Sequence, residues 1–234
     1  MINEPNTSSV TIVVIEDAGI TPYTFRDRDS LRFGRRSSGS LPDVAVSSPF
    51  VSRDHGQFIR INASWFYCDK GSKNGTYLRD RILKGGMRGR LNPVLMNHGD
   101  VLIVSSGNTW DAPSCRILFL YGEEESSWSF QPANQRKITF GTSPHHDFQF
   151  TSRPFSGAVT MRKEQGEWRL TSDYEEVSVN GQLCSFTRSA SFPVREMDCV
   201  TVGESHFIVL ESGLFCPQTT SFRVNLGQGK RFGW

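Results

Sequence analysis

The chain of 234 residues reads as an all-β protein built from two similar sandwich domains in tandem. Three observations carry that reading. Helical periodicity is hard to find anywhere in the sequence. Short runs that alternate apolar and polar residues recur throughout, bounded by clusters of Gly, Pro, Ser, Asn and Asp, which is the pattern of an antiparallel sandwich or barrel. The second half also repeats the first in order, as a tandem duplication does.

In the first half the predicted strands are TIVVIE (11–16), SLRFG (30–34), VAV (44–46), GQFIRI (56–61), WFYC (65–68), TYL (76–78), DVLIV (100–104) and RILFLY (116–121). An acidic, serine-containing stretch, YGEEESSW (121–128), follows with weak strand character. The second set is KITFG (137–141), DFQF (147–150), GAVTM (157–161), EWRL (167–170), VSVNG (177–181), DCVTVG (198–203) and HFIVL (206–210). Phe33-Gly34 aligns with Phe140-Gly141, Asp43-Val44 with Asp147-Phe148, Ser52 with Ser156, Trp65 with Trp168, and Asp100 with Asp198. The expected organisation is a first domain over 1–122 and a linker or first strand over 123–136. A second domain over 137–212 and a tail over 213–234, for which the sequence offers no assignment, complete it.

Composition narrows the function classes. Hydrophobic residues make up 37% of the chain, enough for a buried core. A formal charge of +2 provides no global field for nucleic acid. The five cysteines, Cys68, Cys115, Cys184, Cys199 and Cys216, are odd in number and form no zinc-type spacing. A reducing compartment is therefore expected, with no disulfide framework and no metal. The N-terminus MINEPNTSSV is too polar for a signal peptide, and no apolar run approaches the roughly 18 residues of a membrane helix. A cytoplasmic protein, or the intracellular face of a larger one, is expected, with no membrane insertion in this chain. The ending Lys230-Arg231-Phe232-Gly233-Trp234 is consistent with the front part of a longer protein.

Four short motifs occur in order in the first half: Phe33-Gly34-Arg35-Arg36, Val51-Ser52-Arg53-Asp54-His55, Gly71-Ser72-Lys73-Asn74-Gly75-Thr76, and Asn97-His98-Gly99-Asp100. Singly each is weak, since Asn-Gly is commonly only a hairpin turn and an exposed Arg is commonly only solvated surface. Together, at these spacings, they resemble the forkhead-associated (FHA) domain over roughly residues 10–122. That resemblance implies a sandwich of about eleven strands that binds phosphothreonine peptides through loops at one end.

The residue chemistry agrees. A phosphate at pH 7 carries a charge of about −1.5 to −2 and three strong acceptor oxygens, so its capture needs a planar cation and neutral donors. Arg35 supplies the guanidinium, Ser52 a hydroxyl, and Arg53 a second cation. Ser72, Lys73 and Asn74 supply donors from a third loop. No carboxylate is expected in the phosphate-facing positions. By resemblance Arg35, Ser52 and Arg53 hold the phosphate, and Asn74 holds the peptide backbone. Gly34, His55, Gly75 and Thr76 support the loops. Lys73 departs from the Ser or Thr common in the family. Residues Ser47 to Phe50 and Ser105 to Asn108, which flank the site, are neutral or apolar, so a strongly acidic peptide preference is not expected. The basic run Arg79, Arg81, Lys84, Arg88 and Arg90 is read first as a solvated hairpin, with attraction of acidic phosphopeptides as its functional alternative.

The second half keeps the frame and loses these residues. Thr142 stands for Arg35, Gly157 for Arg53 and Val159 for His55, and Ser172 to Glu176 replace the Gly71–Gly75 loop with carboxylates. This copy is expected to be a scaffold that does not bind phosphothreonine. His145-His146-Asp147 is read as a polar loop rather than a metal site. The expected function is a phosphothreonine-peptide-binding adaptor whose partner is phosphorylated by a Ser/Thr kinase, with no cofactor and no nucleic acid. The alternative is a phospho-independent interaction module, within a larger signalling or secretion protein. No nucleophile elbow, P-loop or dinucleotide fingerprint points to an enzyme.

Overall fold

The computed structural model describes residues 9–39, 41–85, 91–107, 114–121, 127–133, 137–151, 158–173, 176–186 and 191–226. Among the described residues there is no helix. The chain divides into two compact units, Met1–Glu125 and Ser126–Trp234.

Position within a sheet decides which strands of the first unit the sequence announces. β1 (Ser9–Glu16) is buried along almost its whole length because it lies between two strands. Its partners are the edge strand β2 (Gly19–Arg26) and β11 (Ser114–Tyr121). Beyond β11 come β10 (Asp100–Ser105), β7 (Thr76–Leu78) and β8 (Arg81–Leu83). The second sheet runs β4 (Val44–Val46), β3 (Ser30–Arg35), β5 (Gly56–Ile61), β6 (Ser64–Asp69) and β9 (Val94–Leu95). Its β3–β4 pair is parallel and the rest antiparallel. The sequence missed β2, β8 and β9. β2 carries Pro22 and is largely exposed, which an edge strand tolerates because it pairs on one side only. Leu31, Phe33, Phe58, Trp65, Tyr67 and Phe119 form the centre of the core.

The second unit repeats this order. One sheet runs β19 (Phe192–Val194), β16 (Glu167–Ser172), β15 (Val159–Glu164), β13 (Lys137–Gly141), β14 (Phe148–Phe150) and β23 (Phe222–Val224). The other runs β12 (Trp128–Pro132), β22 (Gly213–Pro217), β21 (Ser205–Leu210), β20 (Cys199–Val202), β17 (Val177–Val179) and β18 (Gln182–Leu183). The β13–β14 pair is parallel, as β3–β4 is.

Residues 213–224, which carry β22 and β23, are integral to this unit. β22 turns back from β21 and takes the place that β1 holds beside β11, with β12 outside it as β2 is outside β1. The first unit thus builds this central strand from its beginning and the second from its end. β23 pairs with β14 at the far edge of the other sheet. Leu214, Cys216 and Phe222 lie in the core with Phe140, Phe148 and Phe207.

The strand register corrects two alignments, that of Val159 and that of Ser172, which faces Val159 as Asp69 faces Gly56 and so stands for Asp69 rather than Gly71. Phe33 faces Gly56, and Phe140 faces Val159. Val159 therefore occupies the place of Gly56, and Ala158 that of His55. Ser156, Gly157, Tyr174, Glu175, Arg88, Arg90 and Asn108 lie outside the described residues.

Candidate functional site

The motif residues of the first unit converge through backbone geometry. Arg35 is the last residue of β3, and its N–H donates to the Ser52 carbonyl at 2.9 Å. Its Nε donates to the Val51 carbonyl at 3.1 Å, which ties the side chain to the β4–β5 loop. Strand and loop approach so closely that a β-carbon on Gly34 would overlap the Arg53 carbonyl oxygen. Glycine is required there by contact with backbone, which cannot swing aside. The β6–β7 loop is tied to the same place. The Lys73 N–H donates to Ser52 Oγ at 3.1 Å, and Asn74 Nδ2 donates to the Phe50 carbonyl at 2.8 Å. Gly75, at φ 75°, turns that loop into β7.

These segments wall an open cavity of about 660 Å³ lined by Arg35, Pro49, Phe50, Val51, Ser52, Arg53, Asp54, Lys73, Asn74 and Ser106. Arg35, Arg53 and Lys73 place three cations on it, and Ser52 and Asn74 add neutral polar groups. The combination suits a multiply charged anion attached to a polar chain.

Two expectations are corrected here. Ser72 does not line the cavity. Its hydroxyl donates to Asp69 Oδ2 at 2.6 Å and accepts from the Gly75 N–H at 3.0 Å, so it is committed inside its own loop. A carboxylate is present as well: Asp54 stands in the lining, and it pairs with Lys70 Nζ at 3.2 Å. In the basic hairpin, the Arg79 guanidinium is taken by Asp100 at 3.1 Å.

Beneath the loops lies a buried polar cluster of which the sequence signalled only His55 and Thr76. His55, Tyr67, Asp69 and Thr76 are each 3% exposed or less. Asp69 Oδ1 accepts from the backbone N–H groups of Gly71, Ser72 and Gly85. Its Oδ2 accepts from the hydroxyls of Ser72 and Thr76. The hydrogen positions follow from this arrangement. His55 Nδ1 must accept the Ser52 N–H at 2.9 Å, so its proton sits on Nε2 and points at Thr76 Oγ1, 3.1 Å away. Tyr67 donates to the same oxygen at 2.9 Å. The Thr76 hydroxyl thus accepts twice and donates once, which exhausts its capacity. Burial pushes the His55 pKa down to about 4, against the opposing pull of Asp69 and the Gly75 backbone. A neutral ring is the form that can hold Ser52.

Tyr67 and Asp69 could have been found from sequence only by their position, on the strand leading into Gly71–Thr76. Polar residues at buried strand positions next to a loop are the available signal.

The second unit has none of this cluster. By strand register Ala158, Leu170, Ser172 and Val177 take the places of His55, Tyr67, Asp69 and Thr76. Thr142 follows β13 where Arg35 ends β3. Other features shared by both units are frame. Asp43 accepts the Arg32 N–H, and Asp147 accepts the Thr139 N–H, each at 2.8 Å. Asp100 and Asp198 likewise cap the turns before β10 and β20. Asp147 in the His145-His146-Asp147 run is thereby committed to a turn. No group of three or more His, Cys, Asp or Glu side chains suited to a metal occurs among the described residues. All five cysteines are buried and outside any disulfide, and burial pushes the thiols of Cys184 and Cys216 up to about 11 and 12.

Residues 31–105 match the family model of the FHA domain, so the first unit carries an FHA domain. That family is a phosphothreonine-binding family of interaction modules rather than enzymes. No curated protein matches the chain. Among solved structures, full-length yeast Pml1p is similar over 49% of this chain and 82% of its own, at 18% identity and a TM-score of 0.40. An FHA domain of an Arabidopsis thaliana protein is similar over 52% and 92%, at 22% identity and 0.42. An FHA domain described for phosphothreonine-dependent interactions is similar over 48% and 95%, at 19% identity and 0.34.

Proposed function

We propose that this FHA-bearing chain is a phosphothreonine-dependent adaptor: its first unit binds a protein phosphorylated by a Ser/Thr kinase, and its second unit is a scaffold without a phosphate site. The observation that carries this reading is the convergence of Arg35, Ser52, Arg53, Lys73 and Asn74 on one open cavity from three separate segments. The phosphate sits between the Arg35 guanidinium and the Ser52 hydroxyl, with Arg53 and Lys73 adding charge. Asn74 holds the peptide backbone beside it. Kinase dependence places the interaction inside the cell. No helix among the described residues is long and apolar enough to cross a membrane.

The test is fluorescence anisotropy with matched peptides bearing phosphothreonine, phosphoserine or threonine. Phosphothreonine peptides should bind best. Arg35→Ala should weaken that binding by about tenfold to a hundredfold, the worth of a hydrogen bond to a charged group. Equal retention of modified and unmodified peptides would instead favour phospho-independent contact through the sandwich faces.

A further inference from the structure

A second, smaller cavity of about 150 Å³ adjoins the first. It is lined by Glu16, Asp17 and Ala18 at the β1–β2 turn and by Ser47, Ser48, Pro49 and Phe50 after β4. Pro49 and Phe50 also line the larger cavity, so these two side chains form a shared wall. The electrostatics of the two cavities are opposite. Arg35, Arg53 and Lys73 line the larger one, whereas the smaller has two carboxylates and no basic residue.

The two carboxylates have different work. Glu16 is 9% exposed and accepts the N–H groups of Ser47 and Ser48 at 2.9 to 3.0 Å. It fixes the segment that carries Pro49 and Phe50. Asp17 is exposed on the turn, and the structure gives its carboxylate no hydrogen bond or ion pair among the described residues. The cavity has the volume of a benzene-sized group, room for the end of one side chain and not for a peptide backbone.

Resting on the phosphothreonine reading of the larger cavity, we propose that the smaller one selects a basic side chain of the same peptide. A Lys or Arg lays its aliphatic stem along Pro49, Phe50 and Ala18 and brings its charge to Asp17. The ligand class is therefore a phosphothreonine segment with a lysine or arginine a few residues from the phosphate. Asp17 is the specificity-determining residue. An acidic side chain entering the same cavity would meet Asp17 and Glu16 and be rejected.

The experiment uses the full chain and phosphothreonine peptides in which each position within four residues of the phosphothreonine is Lys, Gln or Glu in turn. At one position Lys should bind about threefold to fivefold tighter than Glu, the discrimination an exposed ion pair supports. That preference should vanish in Asp17→Asn and invert in Asp17→Lys, with each protein's Lys and Glu peptides compared against its own Gln peptide. It should also shrink as salt is raised. Phosphothreonine-dependent binding with no such position, or with a preference indifferent to both substitutions, overturns the basic-residue subsite and leaves the phosphate reading standing. Failure of every phosphothreonine peptide to bind overturns both.

Discussion

At the scale of single residues, most of the first unit's motif residues divide into groups that face the cavity and groups that hold the loops. Arg35, Ser52, Arg53, Lys73 and Asn74 were legible because charge and hydrogen-bonding capacity at recognisable spacings signal anion chemistry. Ser72 was misplaced because a serine hydroxyl serves equally well as a ligand or as a loop tie, and only the position of Asp69 decides. Asp69 offers a direct test. Asp69→Asn keeps the shape but turns an acceptor into a donor facing the Ser72 and Thr76 hydroxyls. Thr76 then has a proton without an acceptor. The expected cost is about 1–3 kcal/mol in urea unfolding, with weakened peptide binding although Asp69 does not line the cavity. His55 predicts a pH dependence. Its folded pKa lies near 4 and its unfolded pKa near 6.5, so between those values the unfolded state binds a proton that the folded state refuses. The stabilising contribution is complete above about pH 6.5 and is lost as the pH falls towards 4, to the extent of about 3 kcal/mol. Urea midpoints measured from pH 7 to pH 4 should show this slope, reduced in His55→Gln.

At the scale of elements, the long central strands were readable and the marginal ones were not. β1, β10 and β11 are buried runs of β-branched and aliphatic residues, and such runs announce themselves. β9 and β18 are two residues long and exist only because a neighbour offers hydrogen bonds. β22 begins at Gly213 and ends at Pro217, residues that argue against a strand when read locally. Its pairing with both β12 and β21 outweighs that local preference. The stretch beyond Glu211 should therefore be required for the second unit. Phe222→Ala, which empties a site packed by Phe148 and Phe207, should cost about 3–5 kcal/mol in chemical denaturation. A chain ended at Glu211 should lose the cooperative unfolding transition of that unit.

At the scale of the whole molecule, the two units act as an internal control. They share strand order and Asp-capped turns, and both carry an aromatic core, so those features belong to the fold. They differ at Arg35 and Thr142, and at every member of the His55, Tyr67, Asp69 and Thr76 cluster. Buried polar groups are tolerated only when fully satisfied, and the second unit does without these. This marks the cluster as support for the β4–β5 and β6–β7 loops rather than a need of the sandwich. Titration calorimetry should accordingly find one phosphothreonine peptide per chain, its affinity weakened by about tenfold to a hundredfold in Arg35→Ala and not restored by adding Thr142→Arg. The sequence alone determined the all-β class, the duplication and the cations of the site, because strand alternation, turn residues and charge are local properties. Tertiary structure alone decided that Ser72 faces inward and Asp69 holds its loop. It also decided that Ala158 stands for His55, and that the second unit takes its central strand from its far end. These depend on strand pairing and on burial, which bring together residues far apart in the chain and leave no local trace.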